Sequence, residues 1–410
     1  MAEKYWFGGS TNNAGDWAWD SAKADTIDNA AATDEGGGLV GIPVTGTIFA
    51  AGESVVIAGT TNYNGTYTLD AATTANKLVI TETYAGETFA GTETVTTDES
   101  NWKLVSDGSD TAKPAAGDSV CFNSRAANDS GGNKQAADVN TDAAGTGTPD
   151  LAGLYVSSDF DGDIGTAGEY LEIEVDGDDI VIDGTGTYYL KLSAGTGNDA
   201  GCGKVVLSNT QTTVHLASLE NDASNVGLWA LVLVFDGRLY IDDDTAITSL
   251  TVSGRSAKVS GGSGITNAKT TTDASVTINN GSCSWNSDVA ALDIYSGSFN
   301  WGHEDMTAIA SAVVDVMSLF AGGTFTWQMA ATNQSTINQF ILYGGTLNAG
   351  VLINSGYSKV IGDGSKISEL WPAAKADLNN YNRNISIAAG SDIECFGGTL
   401  IPPAGAVIDW

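Results

Sequence analysis

Short apolar runs that alternate with polar residues, each broken by Gly, Asn or Asp, recur along most of this chain and predict β-strands joined by tight turns. Beyond residue 230 the unit is an alternating strand, a Gly-containing turn and a second short strand, often ending in an aromatic. Its copies read LVFDGRLYI (233–241), LTVSGRSAKV (250–259), VTINNGSCSW (276–285), LDIYSGSFNW (292–301), LFAGGTFTW (319–327), FILYGGTLNA (340–349) and ISIAAGSDIECFGGTLI (385–401). Successive turn glycines, Gly237, Gly254, Gly281, Gly297, Gly323 and Gly345, are separated by 17, 27, 16, 26 and 22 residues. A spacing near 20 with elastic loops predicts stacked coils, since one rung cannot bury its own apolar face.

The segments 151–165, 170–192 and 204–216 have the same character and extend the coils upstream to about residue 103. Residues 306–320, MTAIASAVVDVMSLF, are the exception: Met306, Ile309, Ala310, Val313, Val314, Met317 and Phe320 follow a helical period, while the β-branched half VVDVMSLF suits a strand. Both readings are open on sequence.

Residues 39–97 carry their own turn chemistry. The Asn64-Gly65 pair lies among alternating Tyr, Thr and Leu, a strong hairpin signal. Five or so strands here make a small barrel or sandwich, inserted between YWFGG (5–9) and the return at Asn101-Trp102. Three parts are thus expected: an N-terminal cap segment (1–38), the inserted β-domain (39–97) and an all-β, right-handed parallel β-helix (98–410). Trp6, Trp17, Trp19 and Trp102 would pack as an aromatic cap on the first rung, because open sheet ends invite strand addition.

Charge narrows the partners. With 17 basic against 50 acidic residues, a net charge of −33 opposes nucleic-acid and membrane-surface binding and favours cations or a basic partner. The start MAEKYWFGG shows no secretory signal pattern, and the longest apolar run, VGLWALVLVF (226–235), is about half a membrane span. Four cysteines, Cys121, Cys202, Cys283 and Cys395, lack metal-ligand spacing and are expected as buried strand thiols.

The pattern YW-x-GG, a later NW, then Pro114, Gly117, Asp118, Val120 and Phe122 in P-x-x-GD-x-V-x-F, followed by rungs of the L-x-V-x-x-GG-T-L kind, resembles large β-helical structural proteins of tailed bacteriophages. The GTTNYNGTYT module resembles small β-domains within phage particle proteins. The resemblance implies a virion protein made in the host cytoplasm, a homotrimer that decorates the capsid or forms a fibre-like tail appendage, partnered by major capsid or tail proteins and not an enzyme.

Candidate chemistry is sparse. Asp159, Asp161 and Asp163, Asp176, Asp178 and Asp179, and Asp242 to Asp244 could offer oxygens to calcium, or could stabilise turns; no EF-hand loop is present. No other cofactor is expected. A tailspike-like glycan-binding or glycan-cleaving role would need paired carboxylates, with Asp242–Asp244, Glu304, Asp305 and Glu369 conceivable beside Trp301 and Trp371. Trp285, Trp301 and Trp327 could form an inner ladder or, with Trp371, an exposed strip for host-surface glycan or a protein partner. His215 and His303 read as a strand and a turn histidine, as no GxSxG elbow accompanies them. A bacterial surface-layer or adhesin protein is a third reading.

Overall fold

The computed structural model describes residues 2–8, 24–47, 49–97, 101–111, 113–128, 132–134, 151–173, 179–193, 202–222, 225–242, 245–261, 273–302, 311–327, 334–348, 358–362, 364, 367–372, 375–377 and 385–401. These are strands, turns and connecting segments, with no helix among them.

From Gly153 onward the chain alternates between two stacks of strands. Gly153–Val156 joins the first, Leu171–Ile173 the second, Asp179–Ile182 the first, Thr187–Ser193 the second, and so on to Thr399–Ile401. Along the second stack, 11 strands pair in parallel without interruption. Parallel pairing follows because each strand's neighbour is the one reached a full circuit later.

The alternation seen in sequence places the same face inward on every circuit. In the first stack Val120, Leu154, Ile180, Val205, Val232, Leu250, Val276, Leu292, Met317 and Phe340 are direct register partners in succession, all buried. In the second, Val214, Leu239, Val259, Cys283, Phe299, Phe325, Leu347 and Ala376 form the facing column. One hydrophobic core runs from Trp6 to Ala376.

Glycine marks the corners for a steric reason. A Cβ on Gly297, whose φ is +83°, would lie 2.4 Å from the carbonyl oxygen of Gly281 one circuit below, and one on Gly254 would lie 1.4 Å from that of Phe235. Consecutive corners approach too closely for a side chain.

Segment 306–320 resolves in favour of the strand over its described part, Ser311–Leu319; Met306, Ile309 and Ala310 lie outside the described residues. Buried positions are Ala312 and Val314, then Met317 and Leu319, two period-two segments offset by three. The offset mimics a helical period. It recurs at Trp229/Val232, Val289/Leu292 and Ile337/Phe340, so long strands of the first stack bend at one level, and Val289, Val314, Ile337 and Ile361 form a third inward column.

The start of the chain closes this stack. Glu3–Trp6 pairs antiparallel with Trp102–Leu104, placing Trp6 opposite Trp102, and parallel with Ser119–Phe122. Trp6, Trp102, Phe122 and Phe160 then pack edge-on or tilted at centroid distances of 5.2–6.2 Å. Trp17 and Trp19 of the expected cap lie outside the described residues. Asp118 of the GD pair fastens this end: it accepts from the Ala2 amide (2.8 Å), the Ala115 amide (3.1 Å) and Lys4 Nζ (2.9 Å). Burial alone would raise its pKa, but the Lys4 and amide hydrogen bonds outweigh that and hold the carboxyl below its ordinary 3.8.

Between Trp6 and Trp102, strands from Ala24–Thr26 to Thr94–Thr97 form two antiparallel sheets around a separate core that includes Ile42, Val55, Ile57, Tyr63, Ile80, Phe89 and Val95. This unit begins upstream of residue 39, because Ala24–Thr26 pairs with Thr94–Thr97 and Thr33–Gly36 with Leu39–Pro43. The hairpin is present, Ser54–Ala58 against Gly65–Thr68, but not through a two-residue Asn-Gly turn. Its connection spans residues 59–64, and the Asn64 side chain closes it: Oδ1 accepts from the Thr60 amide (2.9 Å) and Nδ2 donates to the Thr60 carbonyl. Glu87 caps the same loop by accepting from the Thr61 and Asn62 amides at 2.6 and 2.8 Å.

All four cysteines lie in strands; of the three whose side chains are described, Cys283 is buried, Cys121 half-buried and Cys395 exposed. Burial first, then Glu3, pushes the Cys121 thiol up to about 11.

Two outcomes follow. A depressed folded-state pKa gives stability that is complete above the unfolded value and is lost as pH falls through the folded one. Asp118→Asn should therefore lower stability at pH 7 and flatten its decline below about pH 4, checked by urea midpoints at pH 7 and 3. Asn64→Ala should destabilise the inserted unit by about 1–2 kcal/mol, and Asn64→Gly by no less, since the side chain and not φ closes the loop. Full stability of Asn64→Gly in urea unfolding would contradict this.

Candidate functional site

In the first carboxylate cluster each aspartate is hydrogen-bonded within the fold. Asp159 accepts from Ser157 Oγ, which holds its pKa low, Asp161 from the Lys134 amide (2.6 Å) and Asp163 from the Thr187 amide (2.7 Å). These aspartates are directed at three different partners, and no group of three metal-ligating side chains occurs among the described residues. Asp176, Asp178, Asp243, Asp244, His303, Glu304 and Asp305 lie outside the described residues, as does the side chain of Asp179. Asp242 accepts from the Tyr170 hydroxyl and stands 4.0 Å from His215 Nδ1. His215 is a buried strand histidine stacked between Tyr189 (4.3 Å) and Tyr240 (4.7 Å).

Trp285, Trp301 and Trp327 are fully buried, in register with one another on consecutive strands of the second stack. They form the inner ladder and present no surface to glycan or partner. Their indole N–H groups are satisfied inside: Trp301 donates to the Ser287 carbonyl and Trp327 to Ser335 Oγ, each at 3.1 Å. Trp371 is different, with 37 % of its surface exposed.

Trp371 belongs to a column of rings, each directly after the final residue of a later first-stack strand. In order they are Tyr295, Phe320, Tyr343, Trp371 and Phe396, one per circuit, with Tyr295, Tyr343 and Phe396 exposed by 44, 44 and 45 %. Successive centroids are 4.4, 5.0, 6.0 and 4.8 Å apart and the rings lie within 11–27° of parallel. Register holds the order: Tyr295, Phe320, Tyr343, Trp371 and Phe396 sit directly after Ile294, Leu319, Leu342, Leu370 and Cys395, which pair in turn.

The corresponding positions upstream are mostly polar. Ser208 Oγ donates to Asp183 at 2.9 Å and Asn279 Nδ2 to Ser253 Oγ at 3.1 Å, with Phe235 the one exposed ring between. The change from polar to aromatic at Tyr295 is therefore a property of the later circuits. Sequence reading missed Tyr295, Phe320, Tyr343 and Phe396, although the signal was there: an aromatic stands directly before the turn in IYSG, LFAGG, LYGG and CFGG.

Two residues before each ring runs a second outward column, Asp293, Ser318, Ile341, Glu369 and Glu394. Trp371 Nε1 donates to Glu369 Oε2 at 3.0 Å. Because the rings cover one another's faces, the surface offered is a strip of ring edges bordered by carboxylates. Such a strip can contact apolar groups along its length, and it withholds the open ring faces on which a sugar would lie.

Burial separates the tryptophans energetically. Trp301→Ala should cost about 3–5 kcal/mol, and Trp371→Ala no more than about 1 kcal/mol, as measured by urea unfolding; similar losses for both would contradict the assignment of inner and outer columns. No family model matches this chain, and neither a curated protein nor a solved structure matches it, so its function has to be read from its geometry.

Proposed function

We propose that the chain is a non-enzymatic structural protein built as a right-handed parallel β-helix, a homotrimer on a tailed-phage particle, where it decorates the capsid or forms a fibre-like appendage against major capsid or tail proteins. The observation that carries this reading is the pair of parallel stacks whose inward columns continue from Val120 to the last circuits. Right-handedness is the hand that parallel crossover connections take. A stack of this kind resists bending because the strands of each circuit are hydrogen-bonded to those of the next, which suits a projecting rod. The high negative charge keeps such rods apart in solution.

A tailspike-like glycan role has one supporting observation, exposed Trp371 beside Glu369. Release of new reducing ends from host capsule or lipopolysaccharide would favour it over the structural role.

Mass spectrometry and imaging of purified particles test the main reading. The expected result is the chain present in fixed copy number at one site on the particle, with the isolated protein sedimenting at three times 42.0 kDa. Recovery solely from the host cell envelope would overturn it.

A further inference from the structure

We infer that the aromatic strip Tyr295–Phe320–Tyr343–Trp371–Phe396 is a docking surface for a cationic polypeptide segment, one that alternates apolar side chains with Lys or Arg. The inference names a partner chemistry that the structural reading leaves open, and it rests on that reading's stacked circuits.

Three features converge on one face. The first is the ribbon itself: five circuits spaced by about 4.8 Å put the outer rings roughly 19 Å apart, the reach of about six extended residues. The second is its apolar margin, where Ile367 is exposed and Ile341 half-buried on the same outward side. An exposed apolar patch rimmed by polar groups marks an interaction surface. Upstream, the same column is largely hydroxyls, amides and a carboxylate, so the architecture does not require rings here.

The third feature is charge, and it selects the occupant. Asp293, Glu369 and Glu394 run beside the rings, with Asp392 directly next to Ile367 in the register. On a chain of net charge −33, a second copy would bring like charges together along this border. A sugar chain would find ring edges where it needs faces. A basic segment instead lays Lys or Arg stems along the ring edges and delivers their cations to the carboxylates, while its apolar side chains cover the strip.

The test uses the full chain and a fluorescein-labelled peptide of about eight alternating Lys and Leu residues, with a Lys/Ser peptide of equal charge as control. Anisotropy is read at roughly 0.15 M salt, where long-range attraction is screened. Expected is about tenfold tighter binding of the Lys/Leu peptide, lost in Tyr343→Ser/Trp371→Ser, and weaker binding of both peptides to Glu369→Gln/Glu394→Gln. Equal affinity for the two peptides, or an unchanged Tyr343→Ser/Trp371→Ser variant, overturns the inference. So does self-association, or binding of host-surface oligosaccharide, that the same variant abolishes. Far-UV circular dichroism and the urea midpoint establish that each variant keeps the stacked fold; failure of binding with that fold intact refutes the docking surface and leaves the structural role standing.

Discussion

In-register stacking of inward side chains is the constraint on which everything else in this molecule depends. A single circuit of some twenty residues has an apolar side it cannot cover, and covering it requires the circuits above and below to present apolar atoms at the same place. Parallel pairing enforces this: once Leu292 sits over Val276 and under Met317, Ile294 is fixed over Ile278 and under Leu319. Every inward position is thereby bound to its neighbours along the axis, and close-packed dispersion contacts accumulate circuit by circuit. The same rule keeps the column Leu239, Val259, Cys283, Phe299 and Phe325 buried at every level although its side chains differ in size.

The rule that fills the interior also writes the exterior. Outward positions in one column are neighbours as close as inward ones, so a run of aromatic residues becomes a continuous stack and a run of hydroxyls a hydrogen-bonded row. The described outer face is therefore patterned in columns that run along the stack. This separates the aromatic strip from the tryptophan ladder, two stacks of similar composition with opposite exposure: Trp301 and Trp327 follow two residues after inward Phe299 and Phe325 and share their side, whereas Trp371 follows one residue after inward Leu370 and takes the other.

How much was legible in the sequence follows from the same parity. Period-two alternation identified the strands, their turns and the stacking, and the Asn64-Gly65 signal located the hairpin. What it could not supply was the level at which long strands bend, because a three-residue offset such as Val314 to Met317 looks helical when read along one strand and becomes a bend only when neighbouring strands share it. Nor did turn chemistry reveal that Ala24–Thr26 and Thr33–Gly36 belong to the inserted unit, since their partners are remote or lie across a glycine run. The hairpin loop shows a related limit: a dipeptide favoured for its backbone was used for its side chain. The aromatic strip escaped because its members are some twenty-five residues apart, and only the register brings them together.

The pairing of Trp6 with Trp102 has a further consequence for how the chain is assembled. The excursion of almost a hundred residues leaves and re-enters at two points already held side by side, so closing that loop costs little more than closing a much shorter one. Its length and content are nearly invisible to the scaffold. This makes the junction a natural cassette boundary, where one module can be exchanged for another over evolutionary time while the tryptophan clasp beneath it stays the same.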